Sequence, residues 1–582
     1  MTQHEFRVLR FFCENSGPIT QRIISEELNV SLGTVNSTIS KLKEKGYVTE
    51  DYQVLSEGIK AMEPYKVKNA IILAAGMSTR FVPFSFEKPK GLTGVKGEVL
   101  IERQIRQLKE AGIEEIVLVL GAMMEKFLYL VDKYGVKVVL NKEYRHKNTH
   151  SSLYFSRDFL KSTYICCADN YFPKSVFHKY EFHSLYSTIY MDGVLHGERG
   201  VFTDSKGLIV ATQRPAVDQW VMNGYAYFNK DFSDKFKPIL EQIYDAPGTD
   251  GLYWEQVYAE HVSELPLYEE RYTSQQVIEF DSIAELEAFD PEYIKYNSIA
   301  MIENICSTLK CVPGDIHRIR PIKKGYTNHS FSFICKGESY VYRNPGDISW
   351  IDRKSEKKAL EYAKQQGIDD SYIYADDAVG WKISRFIDIT DDFDFADPKC
   401  LQRLCSILRN MHANPINCGK RMDYMDEAIK LLEDIKVLDS EAYQIALSQL
   451  DGIKRIDETI KSDNWPIQMI HNDLYEDNLL ISGDQLYLID WEYAGDADIG
   501  FDICKLFVKN DAVGSDIDKW LCYYFQRTPT AAEKRHIIGC AAVSFFYWFI
   551  WALYMVKRGN DYADLMLAYM TIFKRYQKEF YS

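Results

Sequence analysis

Residues 470–491, IHNDLYEDNLLISGDQLYLIDW, place oxygen-bearing side chains at spacings that suit phosphoryl transfer. Asp473 is a carboxylate that can take up a hydroxyl proton, and Asn478 follows five residues later. After a short turn, a predicted strand ends at Asp490. Asn478 and Asp490 offer the oxygen ligands that Mg²⁺ prefers beside nucleotide phosphates. A polar turn would explain the glycine but not these three residues together with His471, so we predict a phosphotransferase site with Asp473 as its base.

A second candidate site follows the first predicted strand of the middle region. Residues 71–92, IILAAGMSTRFVPFSFEKPKGL, contain a loop of small residues and then two cations. Small residues let backbone N–H groups approach a polyphosphate, and cations neutralise its charge. An ordinary strand-to-loop turn would not need those cations. The predicted nucleotide contacts are Ala74, Ala75, Gly76, Arg80 and Lys90.

The elements that must position these groups fall into three predicted domains. Residues 1–62 have the pattern of three helices and a wing, with Ser31 as the cap of the third helix. Residues 65–292 alternate short apolar strands with amphipathic helices, which predicts a parallel sheet covered by helices. In residues 298–582 a helix and an antiparallel strand pair precede a long, mainly helical region.

Composition is that of a globular protein, with 46% hydrophobic and 26% charged residues among 582. The net charge of −15 disfavours nonspecific attraction of the whole molecule to nucleic acid or to an anionic membrane. The first residues, MTQHEFRVLRFF, lack the features of a secretory signal, so we expect a cytoplasmic protein. Twelve cysteines are scattered without metal-binding spacing, which favours reduced, structural thiols.

The middle motif resembles the nucleotidyltransferases that carry L-A-A-G-x-G-x-R followed by P-K, and most of all the bacterial CTP:phosphocholine cytidylyltransferases. Ser78 stands where the pattern has its second glycine. The resemblance covers roughly residues 68–280 and implies that Asp169 holds Mg²⁺ against the α-phosphate of CTP. It implies a second carboxylate at Glu255 or, as the less favoured choice, Asp250. A solvated carboxylate at a helix start is the alternative interpretation for these acidic residues.

The C-terminal region resembles the choline kinases and their relatives among the aminoglycoside phosphotransferases. It has Arg in YVYR, where protein kinases have Lys, and IDW in place of DFG. The resemblance implies that Asn478 and Asp490 hold Mg²⁺ and that Asp473 contacts the substrate hydroxyl. The implied ATP-site residues are Thr327, Asn328, Arg343 and Glu356, with Arg343 paired to Glu356, and the further implied substrate contact is Glu492.

Residues 537–556, IIGCAAVSFFYWFIWALYMV, form an apolar run long enough to span a membrane as a helix. Trp548 and Trp551 share one helical face in the interior of the run, whereas tryptophans of a membrane span lie near its ends. Choline kinases have a similar W-x-x-W helix. We therefore predict no membrane insertion and an aromatic cage for a trimethylammonium group. An aromatic stripe packed as ordinary core is the alternative.

The N-terminal domain resembles the winged helix-turn-helix of bacterial regulators, with residues 31–45 as the recognition helix. The first 62 residues hold seven Lys and Arg against eight Asp and Glu, which is a weak balance for DNA. The helix itself carries Lys41, Lys43 and Lys45 against Glu44. DNA contact and a role in protein interaction or dimerisation both remain open.

The predicted fold class is multidomain α/β. It comprises a winged helix-turn-helix, a Rossmann-like nucleotidyltransferase domain and a two-lobed, protein-kinase-like α+β domain. The predicted function is phosphorylation of choline with ATP, followed by coupling of phosphocholine to CTP to give CDP-choline and pyrophosphate, with Mg²⁺ as cofactor. The resemblance also implies phosphocholine decoration of surface glycans. The alternatives are a choline- or CDP-choline-sensing transcription regulator and the same two activities on ethanolamine or another small alcohol. The sequence leaves the oligomeric state open, and a homodimer is one of the alternatives.

Overall fold

The computed structural model describes the chain from Met1 to Ser582 except for residues 16, 18, 79–80, 298, 323–328, 346–350, 415 and 561, and for residue 329 it describes the backbone alone. The predicted site residues Arg80, Thr327 and Asn328 lie outside the described residues. The chain divides into two compact units, Met1–Arg320 and Pro321–Ser582.

The first unit begins with the predicted winged helix. Thr2, Thr20 and Ser31 each cap a helix by accepting a hydrogen bond from a backbone N–H of its first turn. Val48 and Val54 form the antiparallel bridge of the wing. The helices are α1 (Gln3–Glu14), α2 (Gln21–Leu28), α3 (Leu32–Glu44) and α4 (Ser56–Met62).

The rest of the first unit alternates strands and helices as predicted. In chain order the elements are β1 (Asn69–Ala74), α5 (Phe84–Glu87), β2 (Gly94–Val95), β3 (Glu98–Val99), α6 (Leu100–Glu110), β4 (Glu115–Leu120), α7 (Tyr129–Tyr134), β5 (Lys137–Leu140), α8 (Thr149–Phe155), β6 (Thr163–Cys167), β7 (Asn170–Tyr171), β8 (Leu185–Leu195), β9 (Gly200–Thr203), β10 (Ile209–Gln213), β11 (Ala216–Phe228), α9 (Lys230–Tyr244), α10 (Trp254–Glu260), β12 (Tyr268–Tyr272), β13 (Ile278–Glu279), α11 (Ile283–Phe289), α12 (Tyr293–Tyr296) and α13 (Ala300–Leu309).

The main sheet of this unit has the order β10-β9-β11-β6-β1-β4-β5, with β8 paired to β11 and β12. Strand β1 pairs in parallel with β4 and β6, with Leu73 opposite Cys167. The carboxyl ends of β1 and β6 therefore meet at one edge, which is where open α/β sheets bind ligands. Both faces of the sheet are covered by buried apolar side chains.

Helix α13 belongs to the first unit, because the backbone N–H groups of Ala300 and Met301 donate hydrogen bonds to Glu87 of α5. The sequence predicts that the kinase-like domain begins at residue 298, whereas the compact units divide at Arg320. Strand β14 (Ile316–Ile322) crosses that division.

The second unit has the small sheet and the helical region expected of two lobes. Strands β15, β16, β18 and β17 lie side by side in that order, and all of these pairs are antiparallel. Its remaining elements are β15 (His329–Cys335), β16 (Glu338–Asn344), α14 (Arg353–Gln365), β17 (Tyr372–Ala375), β18 (Lys382–Arg385), α15 (Pro398–Ala413), α16 (Tyr424–Leu438), α17 (Ser440–Ser462), β19 (Ile467–Ile470), β20 (Leu479–Ser482), β21 (Gln485–Leu488), β22 (Gly495–Asp498), α18 (Gly500–Ile503), α19 (Lys505–Val508), α20 (Asp516–Phe525), α21 (Ala531–Lys557) and α22 (Ala563–Tyr581).

Helix α21 contains the apolar run singled out in the sequence. Within the described part of the chain it is the one helix long and apolar enough to cross a membrane, yet 94% of its most apolar 18-residue window is buried. It packs against α16, α17 and α22 in the core of the second unit. Burial against other helices explains its hydrophobicity without a bilayer.

Candidate active sites

A cavity of about 650 Å³ opens where β1 and β6 end. The predicted loop of small residues, Ala74 to Gly76, lines it together with Ser78. Ser78 has a φ of 51°, in the left-handed region that favours glycine. The serine thus adopts the conformation that a glycine would take at this place, and the turn beside the cavity is kept.

Lys90 and Asp169 form an ion pair in the wall of this cavity. The Lys90 Nζ lies 2.8 Å from Asp169 Oδ2. The Oδ1 atom of Asp169 is buried and, within the described residues, has no hydrogen-bond partner. Gly91 permits this approach, because a Cβ there would lie 2.8 Å from the Cβ of Ala168. The pair leaves one carboxylate oxygen available to a ligand.

Two further carboxylates, Glu279 and Asp281, line the same cavity. Strand β13 pairs with β7 and sets Glu279 opposite Asn170, the residue after Asp169. Burial, and then the charge on Asp169, raise the pKa of Glu279. Repulsion between close carboxylates is relieved by a cation, and an all-oxygen donor set suits a hard divalent ion. Asp169, Glu279 and Asp281 therefore fit a metal site.

The predicted second metal ligand, Glu255, lines the cavity but contacts a different group. It lies on α10 and accepts a hydrogen bond of 3.0 Å from Tyr186 Oη. Burial raises its pKa to about 7. The less favoured candidate, Asp250, pairs with Lys147 at 2.9 Å. The structure brings Glu279, rather than either of these, opposite the residue next to Asp169.

Gln104 on α6 positions the loop that carries Asp169. Its Nε2 donates hydrogen bonds to the carbonyl oxygens of Cys167 (2.9 Å) and Asn170 (2.8 Å), on either side of Asp169. This residue is not among those predicted from the sequence. A glutamine on the buried face of an amphipathic helix was the available signal, since a buried amide needs partners.

The second unit brings the predicted catalytic loop together. Asn478 Nδ2 donates a hydrogen bond of 2.9 Å to Asp473 Oδ2. Burial, and then the charges of Asp490 and Glu492, raise the pKa of Asp473 to about 7. Asp502, which the sequence analysis missed, accepts the backbone N–H of His471 at 2.9 Å. A buried carboxylate thus fixes the backbone two residues before the predicted base.

The predicted ion pair between Arg343 and Glu356 is present, with Nη1 and Oε1 2.5 Å apart. The same Nη1 lies 3.3 Å from Asp490 Oδ1. Arg353, at the start of α14, binds both Glu356 (2.7 Å) and Glu492 (3.3 Å). Glu492, predicted as a substrate contact, therefore lies in an arginine network. These guanidinium groups offset the charge of carboxylates around the site.

Trp548 and Trp551 lie on one face of α21, with ring centroids 5.8 Å apart. Tyr493 approaches Trp548 at 5.5 Å, and Tyr562 approaches Trp551 at 5.4 Å. Within the described part of the chain, neither indole N–H has a hydrogen-bond partner. Tyr493 follows the Asp490–Glu492 segment in sequence, so the aromatic group lies next to the predicted kinase site.

Comparison with known proteins identifies all three regions. The sequence families described as winged helix-turn-helix DNA-binding, MobA-like NTP transferase domain and choline/ethanolamine kinase match residues 1–49, 70–169 and 320–536. A 2-aminoethylphosphonate cytidylyltransferase of Lancefieldella rimae is 36% identical over 231 residues, which are 39% of this chain and 93% of the relative. A choline-phosphate cytidylyltransferase of Streptococcus pneumoniae is 32% identical over 40% of this chain and 99% of the relative.

The chain belongs to the cytidylyltransferase family. A choline/ethanolamine kinase domain follows in the same polypeptide, so the protein is a bifunctional enzyme. The solved choline kinase LicA from Streptococcus pneumoniae is 21% identical, with a TM-score of 0.40, over 48% of this chain and 98% of that structure. The family resemblances and the fold class predicted from the sequence are confirmed.

The winged helix of this bifunctional cytidylyltransferase has few free cations on its predicted recognition helix. Lys43 binds Glu50 of the wing at 2.6 Å, and Lys45 binds Glu5 of α1 at 2.7 Å. Helix α1 also packs on the cytidylyltransferase domain, where Arg10 lies 3.2 Å from the buried Glu181. Internal pairing of these lysines weakens the case for phosphate contact.

Proposed function

We propose that the protein phosphorylates choline with ATP and then transfers a cytidylyl group from CTP to the resulting phosphocholine, giving CDP-choline and pyrophosphate. The observation that carries this proposal is that a kinase constellation and a cytidylyltransferase constellation occur in one chain. The product of the first reaction has the phosphate nucleophile that the second requires. The S. pneumoniae relative, named a choline-phosphate cytidylyltransferase, supports the substrate.

In the kinase reaction, Asp473 accepts the proton of the choline hydroxyl as the oxygen attacks the γ-phosphorus of ATP. The bond between that phosphorus and the β-phosphate oxygen breaks, and ADP leaves. Asn478 and Asp490 would hold Mg²⁺, which offsets phosphate charge when bound. Arg343, held by Glu356, contributes a fixed positive charge at the same place. Thr327 and Asn328 remain predicted phosphate contacts.

In the cytidylyltransferase reaction, a phosphate oxygen of phosphocholine attacks the α-phosphorus of CTP, and pyrophosphate leaves. Lys90 offsets charge on the triphosphate, and Arg80 remains a predicted partner in that role. Asp169, Glu279 and Asp281 would hold Mg²⁺, which polarises the α-phosphate when bound. Ala74, Ala75 and Gly76 line the cavity and are the proposed backbone contacts of the nucleotide. Tyr186 and Glu255 lie in the same cavity, where an aromatic ring and a carboxylate suit the substrate's cation.

A second candidate nucleophile is 2-aminoethylphosphonate, because the relative with 36% identity is named for it. A phosphonate already carries phosphorus on carbon and gains nothing from an alcohol kinase. The kinase domain in the same chain therefore favours a phosphate ester. Ethanolamine is the alternative alcohol, since the matching family includes ethanolamine kinases. The aromatic group around Trp548 favours choline, because a trimethylammonium cannot donate hydrogen bonds and binds aromatic faces instead.

The test is a mass measurement of the products after incubation with ATP, CTP and Mg²⁺. Choline should give CDP-choline, with phosphocholine as the intermediate that accumulates when CTP is omitted. Parallel reactions contain ethanolamine with both nucleotides or 2-aminoethylphosphonate with CTP alone. Faster turnover of either competitor than of choline or phosphocholine would contradict the proposed substrate.

The cytoplasm is the compartment in which we propose that these reactions occur, because both nucleotide substrates are cytoplasmic. Use of CDP-choline in surface glycan decoration and formation of a homodimer are further proposals. For the winged helix, operator binding that depends on choline or CDP-choline, together with low turnover, would favour the regulatory alternative.

A further inference from the structure

Lys505 is a buried lysine that the two reactions described above do not use. It begins α19, three residues after Asp502, and its side chain is inaccessible to solvent. Within the described residues, its Nζ has no hydrogen-bond partner. Burial lowers its pKa. An ammonium group buried without a hydrogen-bond acceptor is costly for the fold, so a ligand that supplies an acceptor would stabilise it.

The surroundings of Lys505 belong to the kinase site. Its Nζ lies 4.1 Å from the ring centroid of Phe545, one helical turn before Trp548 on α21. It also lies 5.9 Å from the ring of Tyr475, two residues after Asp473. Tyr475 Oη is 3.0 Å from Tyr569 Oη, and Tyr569 packs against Phe545. Lys505 therefore lies close to one residue of the predicted catalytic loop and to one residue of the helix that carries the two tryptophans.

A quaternary ammonium would be repelled by Lys505, so this lysine does not suit the cationic end of choline. The other end of the substrate carries the hydroxyl oxygen and, after transfer, a phosphate. Oxygen atoms of the transferring phosphoryl group are acceptors with growing negative charge, and they must form next to Asp473. The charges of Lys505 and Asp473 influence each other, so this ammonium is near enough to the predicted base to act on those oxygen atoms.

We propose that Lys505 is a further catalytic residue of the kinase, which donates a hydrogen bond to the phosphoryl group as it moves from ATP to the alcohol. The hydroxyl proton passes to Asp473, the new O–P bond forms, and the bond to ADP breaks. Lys505 keeps its own proton throughout. This inference rests on the proposed kinase function.

The test replaces Lys505 with Met, which fills similar space without the charge, and with Gln, which keeps a neutral donor. In Lys505→Met we expect the kinase kcat to fall about a hundredfold. We also expect the inhibition constant for phosphocholine, measured as product inhibition of choline phosphorylation, to rise about tenfold. The KM for choline should stay the same or fall, because choline has no phosphate. Lys505→Gln should retain more turnover than Lys505→Met.

The matched control is Lys509→Met. Lys509 also lies over Tyr475, at 4.1 Å, but it is paired with Glu476 at 2.6 Å. The control should keep kinase turnover within threefold, and the cytidylyltransferase activity of every variant should equal that of the parent. The KM for ATP and the thermal unfolding midpoint report folding of the kinase unit. Removal of an unpaired buried charge should leave that midpoint unchanged or raise it.

Two outcomes would overturn the proposal. One is a kcat and a phosphocholine inhibition constant of Lys505→Met within threefold of the parent. The other is an equal weakening of choline binding and of phosphocholine binding, since that would show a general loss of packing. If the parent enzyme prefers ethanolamine, choline is the wrong substrate but the role of Lys505 can still be tested. The parent and Lys505→Met are then compared in ethanolamine turnover and in inhibition by phosphoethanolamine.

Discussion

The two catalytic sites of this chain handle negative charge in different ways. Among the carboxylates that line the cytidylyltransferase cavity, Asp169, Glu279 and Asp281 act on the charge of Lys90, and the pKa of Glu279 is raised by burial and by Asp169. In the kinase site burial alone would raise the pKa of Glu356, yet the charge of Arg343 lowers it to about 2. The first site thus keeps mutually repelling carboxylates, which are the proposed ligands of Mg²⁺. The second uses arginines to neutralise part of its acidic set and leaves Asp473 with a raised pKa.

This contrast can be tested within one molecule, because each activity serves as a folding control for the other. The largest expected effect is on the kinase. Asp473→Asn keeps the shape of the side chain but cannot accept the hydroxyl proton. We expect choline phosphorylation to fall about 10²–10⁴-fold, the range for loss of a general base. Cytidylyl transfer from CTP to added phosphocholine should continue at the parental rate.

An Asp473→Asn variant that keeps more than a tenth of parental kinase turnover would contradict the role of this residue as base. A parallel loss of cytidylyl transfer would point instead to a folding defect.

The next effect concerns the proposed metal site of the cytidylyltransferase. Glu279→Gln removes one carboxylate from beside Asp169, and we expect the Mg²⁺ concentration for half-maximal cytidylyl transfer to rise about 10–100-fold. Asp169→Asn should lower the rate of cytidylyl transfer at least as much as Glu279→Gln does, because it also removes the partner of Lys90. Glu255→Gln is the matched control, since Glu255 binds Tyr186. The Mg²⁺ requirement of that control should stay near the parental value.

An unchanged Mg²⁺ requirement in Glu279→Gln, together with a raised one in Glu255→Gln, would support Glu255 as the second ligand, as the sequence predicts. Kinase activity measured in the same samples should not change.

The comparison of Glu279 with Glu255 shows which kinds of candidate site residue a sequence can predict. Asp473, Asn478 and Asp490 lie within one short motif, so local spacing was enough to predict them. Glu279 reaches the cavity because β13 pairs with β7, more than a hundred residues earlier in the chain. Such a pairing leaves no local pattern, since each strand has only two residues. Domain order and strand–helix alternation were predicted because hydrophobic periodicity is local.

Asp502 and Gln104 were missed for a related reason. Each acts through hydrogen bonds to backbone atoms of a distant loop, and backbone acceptors and donors have no sequence signature. The Arg343–Glu356 pair was predicted because the strand and the following helix bring both residues together over a short stretch of chain.

A smaller effect is expected in the aromatic group. Trp551→Ala removes one ring that packs against Trp548 and Tyr562. A cation–π contact contributes about 0.5–2 kcal/mol, so the KM for choline should rise roughly 2–30-fold. The KM for ethanolamine should change less, because an ammonium group also binds hydrogen-bond acceptors. Equal KM values for choline before and after the substitution would show that Trp551 is packed core and leave the kinase assignment intact.

The smallest expected effect is a displacement of the kinase pH profile. Burial and the charges of Asp490 and Glu492 raise the pKa of Asp473 to about 7. The base must be ionised, so kcat/KM for choline should fall as pH decreases through that value, by about tenfold per unit well below it. A cation held at Asp490 offsets one of the charges that raise this pKa. Saturating Mg²⁺ should therefore move the acidic limb to lower pH than limiting Mg²⁺ does. The acidic limb of the pH profile would belong to another group if it stays fixed when Mg²⁺ is varied and persists in the residual activity of Asp473→Asn. That result would contradict the raised pKa of Asp473 on which the contrast between the two sites depends.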